Sequence, residues 1–149
     1  IERKFVEKLL EDADLKGTIF AHHASTEITA LEKLKKKESC KDLADKIDKL
    51  INRVRDTEKL VKENFYHPAM NGKYGLKKII KAIPDSINYE EDAIGGGMAA
   101  QLAWLVCTDP KTLEEEKKKQ INLLKNYCAK DTINLYYLVK YLIEKTNEK

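Results

Sequence analysis

The chain has 149 residues, of which 42% are hydrophobic and 36% are charged, so a disordered or fibrous segment is excluded and one folded domain is expected. Its 28 Lys and Arg residues nearly balance its 25 Asp and Glu residues, and the net charge of +3 excludes a polybasic tail as its main character. No apolar run approaches the roughly 18 residues of a membrane span, and no secretory signal opens the chain.

The cysteines predict a reducing compartment. They are odd in number, and no two of them have the C-x-x-C spacing: Cys40, Cys107 and Cys128. A disulfide framework and a cysteine-based zinc site are therefore disfavoured, and we expect a cytoplasmic location. The chain begins with Ile1 instead of Met, which favours a piece of a longer protein.

The first half of the chain predicts helices separated by two short strands. Apolar residues recur at helical spacing in three long segments and one short one: 2–13, 25–37, 40–52 and 57–62. Short β-prone runs precede the second and the last of these helices: 18–22 and 53–57. Ser25 is expected to cap the second helix.

The second half begins with a loop over 64–75, which contains Pro68 and the Asn71-Gly72 turn signal. Helices are predicted over 76–83, from Met98 to about Val106, and along the Glu- and Lys-rich stretch after Pro110. The segment 123–145 is apolar on more than one face, which indicates a buried C-terminal helix broken near Ala129–Asp131. The chain is thus predominantly α-helical with about two short strands.

The segment 127–132, Tyr-Cys-Ala-Lys-Asp-Thr, places a carboxylate within an apolar helical stretch. Tyr127 lies four residues before Asp131, so both side chains share one helix face. A carboxylate on a buried face is costly unless it is paired or binds a metal. The alternative is that Asp131 only caps a helix that begins at Thr132.

The segment 20–27 combines a strand end with two histidines and Glu27 at the start of a helix. Ligand groups in α/β sheets lie where a strand leads into a helix. The alternative is that Glu27 is only a carboxylate favoured by the helix dipole. Zinc binding by His22 and His23 is disfavoured because adjacent strand residues point to opposite faces.

The segment 66–78 surrounds a rigid turn with aromatic and basic side chains: Tyr66, His67, Lys73, Tyr74, Lys77 and Lys78. Aromatic and cationic groups interleaved in this way suit stacking on bases and contacts to phosphates. An ordinary surface loop is the alternative interpretation.

In this order, the three segments resemble the C-terminal two-thirds of a DnaQ-like 3′–5′ exonuclease domain of the RNase H-like superfamily. The resemblance extends over about residues 17–140. The resemblance is strongest to a bacterial family whose members have the sequences YNxSFE, YHPxMxGSYSLKKVLPAL and YCxxDT at these places. It implies a single α/β RNase H-like domain over 1–149 that lacks its first strands and is incomplete.

The resemblance also implies the roles of individual residues. Superfamily members bind two metal ions, Mg²⁺ or Mn²⁺, through four acidic residues, and a tyrosine orients the attacking water. Glu27 takes the third acidic place, Asp131 the fourth, and Tyr127 the place of that tyrosine. Contacts to the nucleic-acid substrate would come from four further residues: His23, Tyr66, Tyr74 and Lys77.

This sequence departs from the family pattern in two ways. The D-x-E motif that supplies the first two acidic residues is absent, since the acidic cluster 11–14 belongs to a helix end. His23 and Thr26 replace the Asn and Phe of the second motif, and Lys73 and Gly75 replace serines of the middle block. Only half of the two-metal site is therefore expected from this chain.

Two main hypotheses follow, and each names nucleic acid as a partner. The first is a fragment of a metal-dependent exonuclease, inactive alone, in which Glu27 and Asp131 approach each other at one end of the strands. The second is a non-catalytic helical module that binds nucleic acid or protein, and a purely structural helical domain is a third. Missing strands would expose sheet edges and apolar helix faces, which favours homo-oligomers.

Overall fold

The computed structural model describes residues 1–13, 16–89 and 94–148, and these residues form seven α-helices and one two-stranded sheet. The prediction of a mostly helical chain with two short strands is therefore confirmed. The described residues divide into two compact units, Ile1–Tyr66 and a second unit that begins at His67. The RNase H-like fold implied by the resemblance stays a prediction.

The first unit is built around two parallel strands that are joined through helices. Its elements are α1 (Glu2–Asp12), β1 (Ile19–Ala21), α2 (Ser25–Lys35), a 3₁₀ helix (Glu38–Leu43), α3 (Ala44–Arg53), β2 (Val54–Asp56) and α4 (Thr57–Asn64). In the parallel pair Ile19 lies opposite Val54, and Ala21 lies opposite Asp56. A parallel pair needs a crossover, which α2, the 3₁₀ helix and α3 provide.

The core of the first unit lies among α1, α2, α3 and the 3₁₀ helix. Six buried side chains form one cluster: Val6, Leu31, Cys40, Leu43, Ile47 and Leu50. Partly buried Ile19 and Val54 attach the two strands to this cluster. The amphipathic spacing of α1 and α3 thus positions the carboxyl ends of β1 and β2 against a packed core.

The second unit consists of short turns followed by two longer helices. A 3₁₀ turn (Pro68–Met70) leads to α5 (Leu76–Ile79) and a 3₁₀ extension (Ile80–Ala82), and α6 (Gly97–Thr108) precedes α7 (Glu114–Asn147). The predicted Asn71-Gly72 turn is confirmed, since both residues have positive φ. Its most buried side chains come from α5, from α7 and from the turns: Met70, Ile79, Ile80, Leu138 and Asn134.

Two expectations about helix ends are wrong. The C-terminal helix is not broken near Ala129–Asp131, because α7 continues through this segment without a Gly or Pro, and Asp131 therefore caps no helix. Ser25 does not cap α2 either, since Ala24 occupies the cap position and Ser25 is the first helical residue. Within the described residues, no helix is long and apolar enough to cross a membrane.

Candidate functional site

Tyr127 and Asp131 lie on neighbouring turns of α7 and meet side chains from two other segments of the second unit. Tyr89 follows the loop after α5, and its hydroxyl donates a 2.5 Å hydrogen bond to Asp131 Oδ1. The rings of Tyr89 and Tyr127 lie 6.4 Å apart at 55°. The uninterrupted helix thereby brings the predicted tyrosine and carboxylate to one place.

Lys77 completes this cluster from α5. Its ammonium lies 4.4 Å from the ring centre of Tyr89 and 5.1 Å from that of Tyr127, within cation–π distance of both. Lys77 Nζ also donates a 3.0 Å hydrogen bond to the carbonyl of Gly95. We call the four residues Lys77, Tyr89, Tyr127 and Asp131 the tyrosine–aspartate cluster.

Tyr89 is the most buried member of this cluster, with 8% of its surface exposed. Burial raises the pKa of its hydroxyl well above the ordinary value, and the Asp131 carboxylate adds to this shift while Asn134 opposes it. Tyr89 is therefore a neutral hydrogen-bond donor at physiological pH. It fixes one oxygen of Asp131.

Asn134 orders the segment that carries Tyr89. This asparagine is fully buried one turn beyond Asp131 on α7. Its Oδ1 accepts a 2.7 Å bond from the N–H of Ile87, and its Nδ2 donates a 2.9 Å bond to the Ile87 carbonyl. A buried amide that satisfies both backbone groups of one residue ties the irregular segment to α7.

A groove of about 540 Å³ lies beside the cluster in the same unit. We call it the lysine groove. Its polar lining consists of Lys77, Lys78, Lys81, Ser86, Asn88 and Tyr89. Lys77 and Tyr89 belong to both sites, so the groove and the cluster are continuous.

The carboxyl ends of β1 and β2 form a second polar site, in the first unit. Asp56 caps α4 by accepting a 2.9 Å bond from the N–H of Glu58. Its two oxygens also accept 3.1 Å bonds from the N–H groups of His23 and Ala24. A single carboxylate thus joins the turn after β1 to the start of α4.

His23 and Lys62 both contact the Glu58 carboxylate at this strand end. His23 Nδ1 lies 2.6 Å from Glu58 Oε2, and Lys62 Nζ lies 2.6 Å from Glu58 Oε1. These two partners lower the pKa of the Glu58 carboxyl, with Lys62 contributing most. His22 makes a separate 3.0 Å contact from its Nδ1 to the buried Thr57 hydroxyl.

The structure places the predicted site residues in both units. Glu27 is exposed in the first turn of α2, and Tyr66 is exposed at the end of the first unit. Lys77, Tyr127 and Asp131 meet in the second unit, where Tyr74 is half-buried before α5. The approach of Glu27 to Asp131 stays a prediction, because the two residues belong to different units.

Among the described residues, the donor set for a metal is incomplete. Among residues 1–13, 16–89 and 94–148, no three His, Cys, Asp or Glu side chains lie close enough together to bind one ion. Asp131 offers a carboxylate of the type that Mg²⁺ and Mn²⁺ prefer, and one of its oxygens already accepts the Tyr89 bond. The residues present therefore do not form a two-metal site by themselves.

Sequence reasoning missed Tyr89, Asn134, Asp56 and Glu58. Tyr89 and Asn134 carry no motif, and their roles depend on contacts between residues more than 40 positions apart. Asp56 offered a signal, since an Asp directly before a predicted helix start is a preferred N-cap.

Fold and site together define a mostly helical α/β protein with a parallel strand pair and a carboxylate held by a tyrosine beside a lysine-lined groove. The chain belongs to the family described as "Domain of unknown function (DUF2779)", whose model matches residues 1–75. Searches of curated proteins and of solved structures found no match.

Proposed function

We propose that this chain is part of a metal-dependent 3′–5′ exonuclease that hydrolyses phosphodiester bonds in DNA or RNA. The observation that supports the proposal best is the tyrosine–aspartate cluster beside the lysine groove. Tyr127 and Asp131 have the spacing of the YCxxDT motif in the resembled family, and both side chains lie with a cation next to a groove that an anionic strand can enter.

In this proposal Asp131 and Glu27 contribute two of four metal-binding carboxylates. A D-x-E motif outside this sequence contributes the other two. Two Mg²⁺ or Mn²⁺ ions bound in such a site supply the activation of water and the stabilisation of the leaving oxygen. No hydrolysis is expected from the 149-residue chain alone, because its described residues bring together no group of three metal-binding side chains.

The remaining side chains have roles in binding. Tyr127 orients a water molecule next to Asp131, and Tyr89 fixes the Asp131 carboxylate through its hydroxyl. His23, Tyr66, Tyr74 and Lys77 contact the nucleic-acid strand. The three free thiols fit a reducing, cytoplasmic compartment, which is part of the proposal.

The test is a nuclease assay on the full natural polypeptide that contains this sequence. With Mn²⁺ and 5′-labelled oligonucleotides, we expect shortening from the 3′ end that Asp131→Asn lowers at least about 100-fold. Asn at 131 still accepts the Tyr89 hydrogen bond, so folding is preserved. Asp45→Asn, an exposed carboxylate on α3, is the matched control. Equal activity of the Asp131→Asn and wild-type proteins would contradict the proposal.

The second candidate is a binding module without catalysis. It is supported by the incomplete donor set of the described residues together with the lysine groove. This function predicts binding of oligonucleotides that is unchanged in Asp131→Asn and no cleavage with any divalent metal. The same assay, read by both cleavage and retention of the labelled strand, separates the two candidates.

A further inference from the structure

The lysine groove gathers three cations on one concave surface. Lys77, Lys78 and Lys81 line it within five residues of sequence. None of the three forms an ion pair with a carboxylate of the described residues, and Lys77 contacts two aromatic rings and the Gly95 carbonyl. Their charges are therefore not neutralised by those residues.

Several lysines of the first unit, in contrast, are paired with carboxylates. Five of them form ion pairs with Asp or Glu: Lys8, Lys35, Lys37, Lys41 and Lys62. Three lysines that line one concave surface, with no carboxylate partner among the described residues, would attract an external anion.

The side chains and the segment that line the groove are held in place by several contacts. Lys77 is fixed between Tyr89, Tyr127 and the Gly95 carbonyl, so its ammonium is pre-positioned with little side-chain entropy left to lose. The segment that carries Ser86 and Asn88 also lines the groove, and Asn134 ties this segment to α7. The groove volume of about 540 Å³ is within the range of ligand-binding pockets.

We infer that the lysine groove binds the sugar–phosphate backbone of a single-stranded nucleic acid, with Lys78 and Lys81 contacting phosphates and Asn88 hydrogen-bonding the strand. The choice of ligand rests on the proposed function and deepens it, because the groove leads to the tyrosine–aspartate cluster. Lys78 and Lys81 are new members of the site: neither is needed for metal ligation.

The test measures binding of the full natural polypeptide in EDTA, without metal and therefore without cleavage. The probe is a fluorescent oligothymidylate or oligouridylate of about 12 nucleotides, titrated across a KCl series. Lys78→Gln/Lys81→Gln should lower affinity about tenfold at low salt and reduce the slope of log affinity against log salt by about 1.4, since each phosphate contact on a single strand contributes about 0.7.

The matched control is Lys118→Gln/Lys119→Gln, which removes two exposed charges from α7 and should leave affinity within about twofold. Equal losses in both double variants would show a non-specific charge effect and overturn the inference. So would the absence of binding at low salt.

Two further arms separate this inference from the proposed function and from another ligand. Cleavage that depends on Asp131 but not on Lys78 and Lys81 would contradict strand binding in the lysine groove and support the proposed nuclease activity. Strand binding that depends on these lysines, in a protein without nuclease activity, would support strand binding in the lysine groove and contradict the proposed nuclease activity. Binding to phosphatidylserine vesicles instead of oligonucleotides would overturn the choice of a nucleic-acid strand.

Discussion

At the scale of single residues, Tyr89 and Asn134 determine the geometry around Asp131. Tyr89 lies 42 positions from Asp131 in the sequence, yet its hydroxyl makes the shortest contact of the tyrosine–aspartate cluster. Neither helical periodicity nor any motif identifies a tyrosine in an irregular segment, so this pairing was not predictable. The helical spacing of Tyr127 and Asp131, in contrast, followed directly from the sequence.

The hydrogen bond from Tyr89 to Asp131 should contribute to stability. Tyr89→Phe removes only the hydroxyl, and we expect a loss of about 1.5 kcal/mol in the free energy of unfolding, because the acceptor is a carboxylate and the donor is buried. Urea unfolding of Tyr89→Phe, Asp131→Ala and the double variant forms a cycle. A coupling energy near zero would contradict an energetic role for this bond.

Asn134 should contribute more to stability than the hydrogen bond from Tyr89 does, because two buried backbone groups depend on it. Asn134→Ala leaves the N–H and carbonyl of Ile87 without their partners, and we expect a loss of about 3 kcal/mol in the free energy of unfolding. The exposed Asn126→Ala, on the same helix, should change it by less than about 0.5 kcal/mol. Similar losses in both variants, measured by urea unfolding, would refute this role.

At His23 the sequence departs from the motif of the resembled family, but the replacement is compatible with the same backbone conformation. Its φ of 62° lies in the left-handed region, where Asn, Asp and His are the enriched non-glycine residues. The resembled family has Asn at this position. The replacement therefore keeps a residue type that tolerates the turn, and Asp56 stabilises the turn through the N–H of His23.

At the scale of elements, several hydrogen bonds meet at the strand-to-helix junction after β2. Asp56 bonds three N–H groups, and Glu58 lies at the second position of α4, where the helix dipole favours a carboxylate. The short strand and its helix were predicted from β-prone and helical spacing. The convergence on Asp56 required the parallel register that places Ala21 opposite Asp56.

The stability contributed by Glu58 should depend on pH. Its folded-state pKa is lowered by Lys62 and His23, so the contribution is present above the unfolded pKa of about 4.3 and is lost as pH falls through the lower folded pKa. Glu58→Gln should cost about 1 kcal/mol at pH 7, since this side chain is only 16% exposed, and the difference from wild type should shrink at about pH 3.

The matched control for this prediction is Glu63→Gln on the same helix, where the side chain is exposed. It should change the free energy of unfolding by less than about 0.5 kcal/mol at either pH. Chemical denaturation at the two pH values provides the measurement. A cost of Glu58→Gln that is the same at both pH values would contradict the assigned cause.

The helix α7 illustrates where local reasoning failed. A polar residue within an apolar stretch suggested a break at Asp131, but intrinsic propensity favours continuation, since the helix contains neither Gly nor Pro. Asp131 is accepted inside the helix because Tyr89 supplies a hydrogen bond from outside it. The contact that resolves the polar position is tertiary and could not be seen in the local pattern.

At the scale of the whole molecule, one helix of the second unit, α6, has an exposed apolar face. Met98, Leu102 and Leu105 have the i, i+4, i+7 spacing of one helix face, and each is at least 59% exposed. The prediction of homo-oligomers from the sequence therefore has a specific surface to test. An exposed cluster of this kind favours association with apolar surface.

We expect the chain to self-associate through this face. Sedimentation velocity of the wild-type protein should show a mass that rises with concentration, and Leu102→Lys/Leu105→Lys should remain a monomer, because charges on the face oppose its burial. Leu113→Lys, at a leucine that is 78% exposed and outside α6, should associate like the wild type. A monomeric wild-type protein would disprove the expectation.

The sequence by itself determined the helical class, the two strands, the Asn71-Gly72 turn and the shared helix face of Tyr127 and Asp131, because periodicity and turn chemistry are local properties. Only the tertiary structure decided that Tyr89 and Asn134 support Asp131, that Asp56 joins two strand ends, and that Lys77, Lys78 and Lys81 line one groove. These arrangements depend on which distant segments pack together, and the free energy of packing is a property of the whole chain.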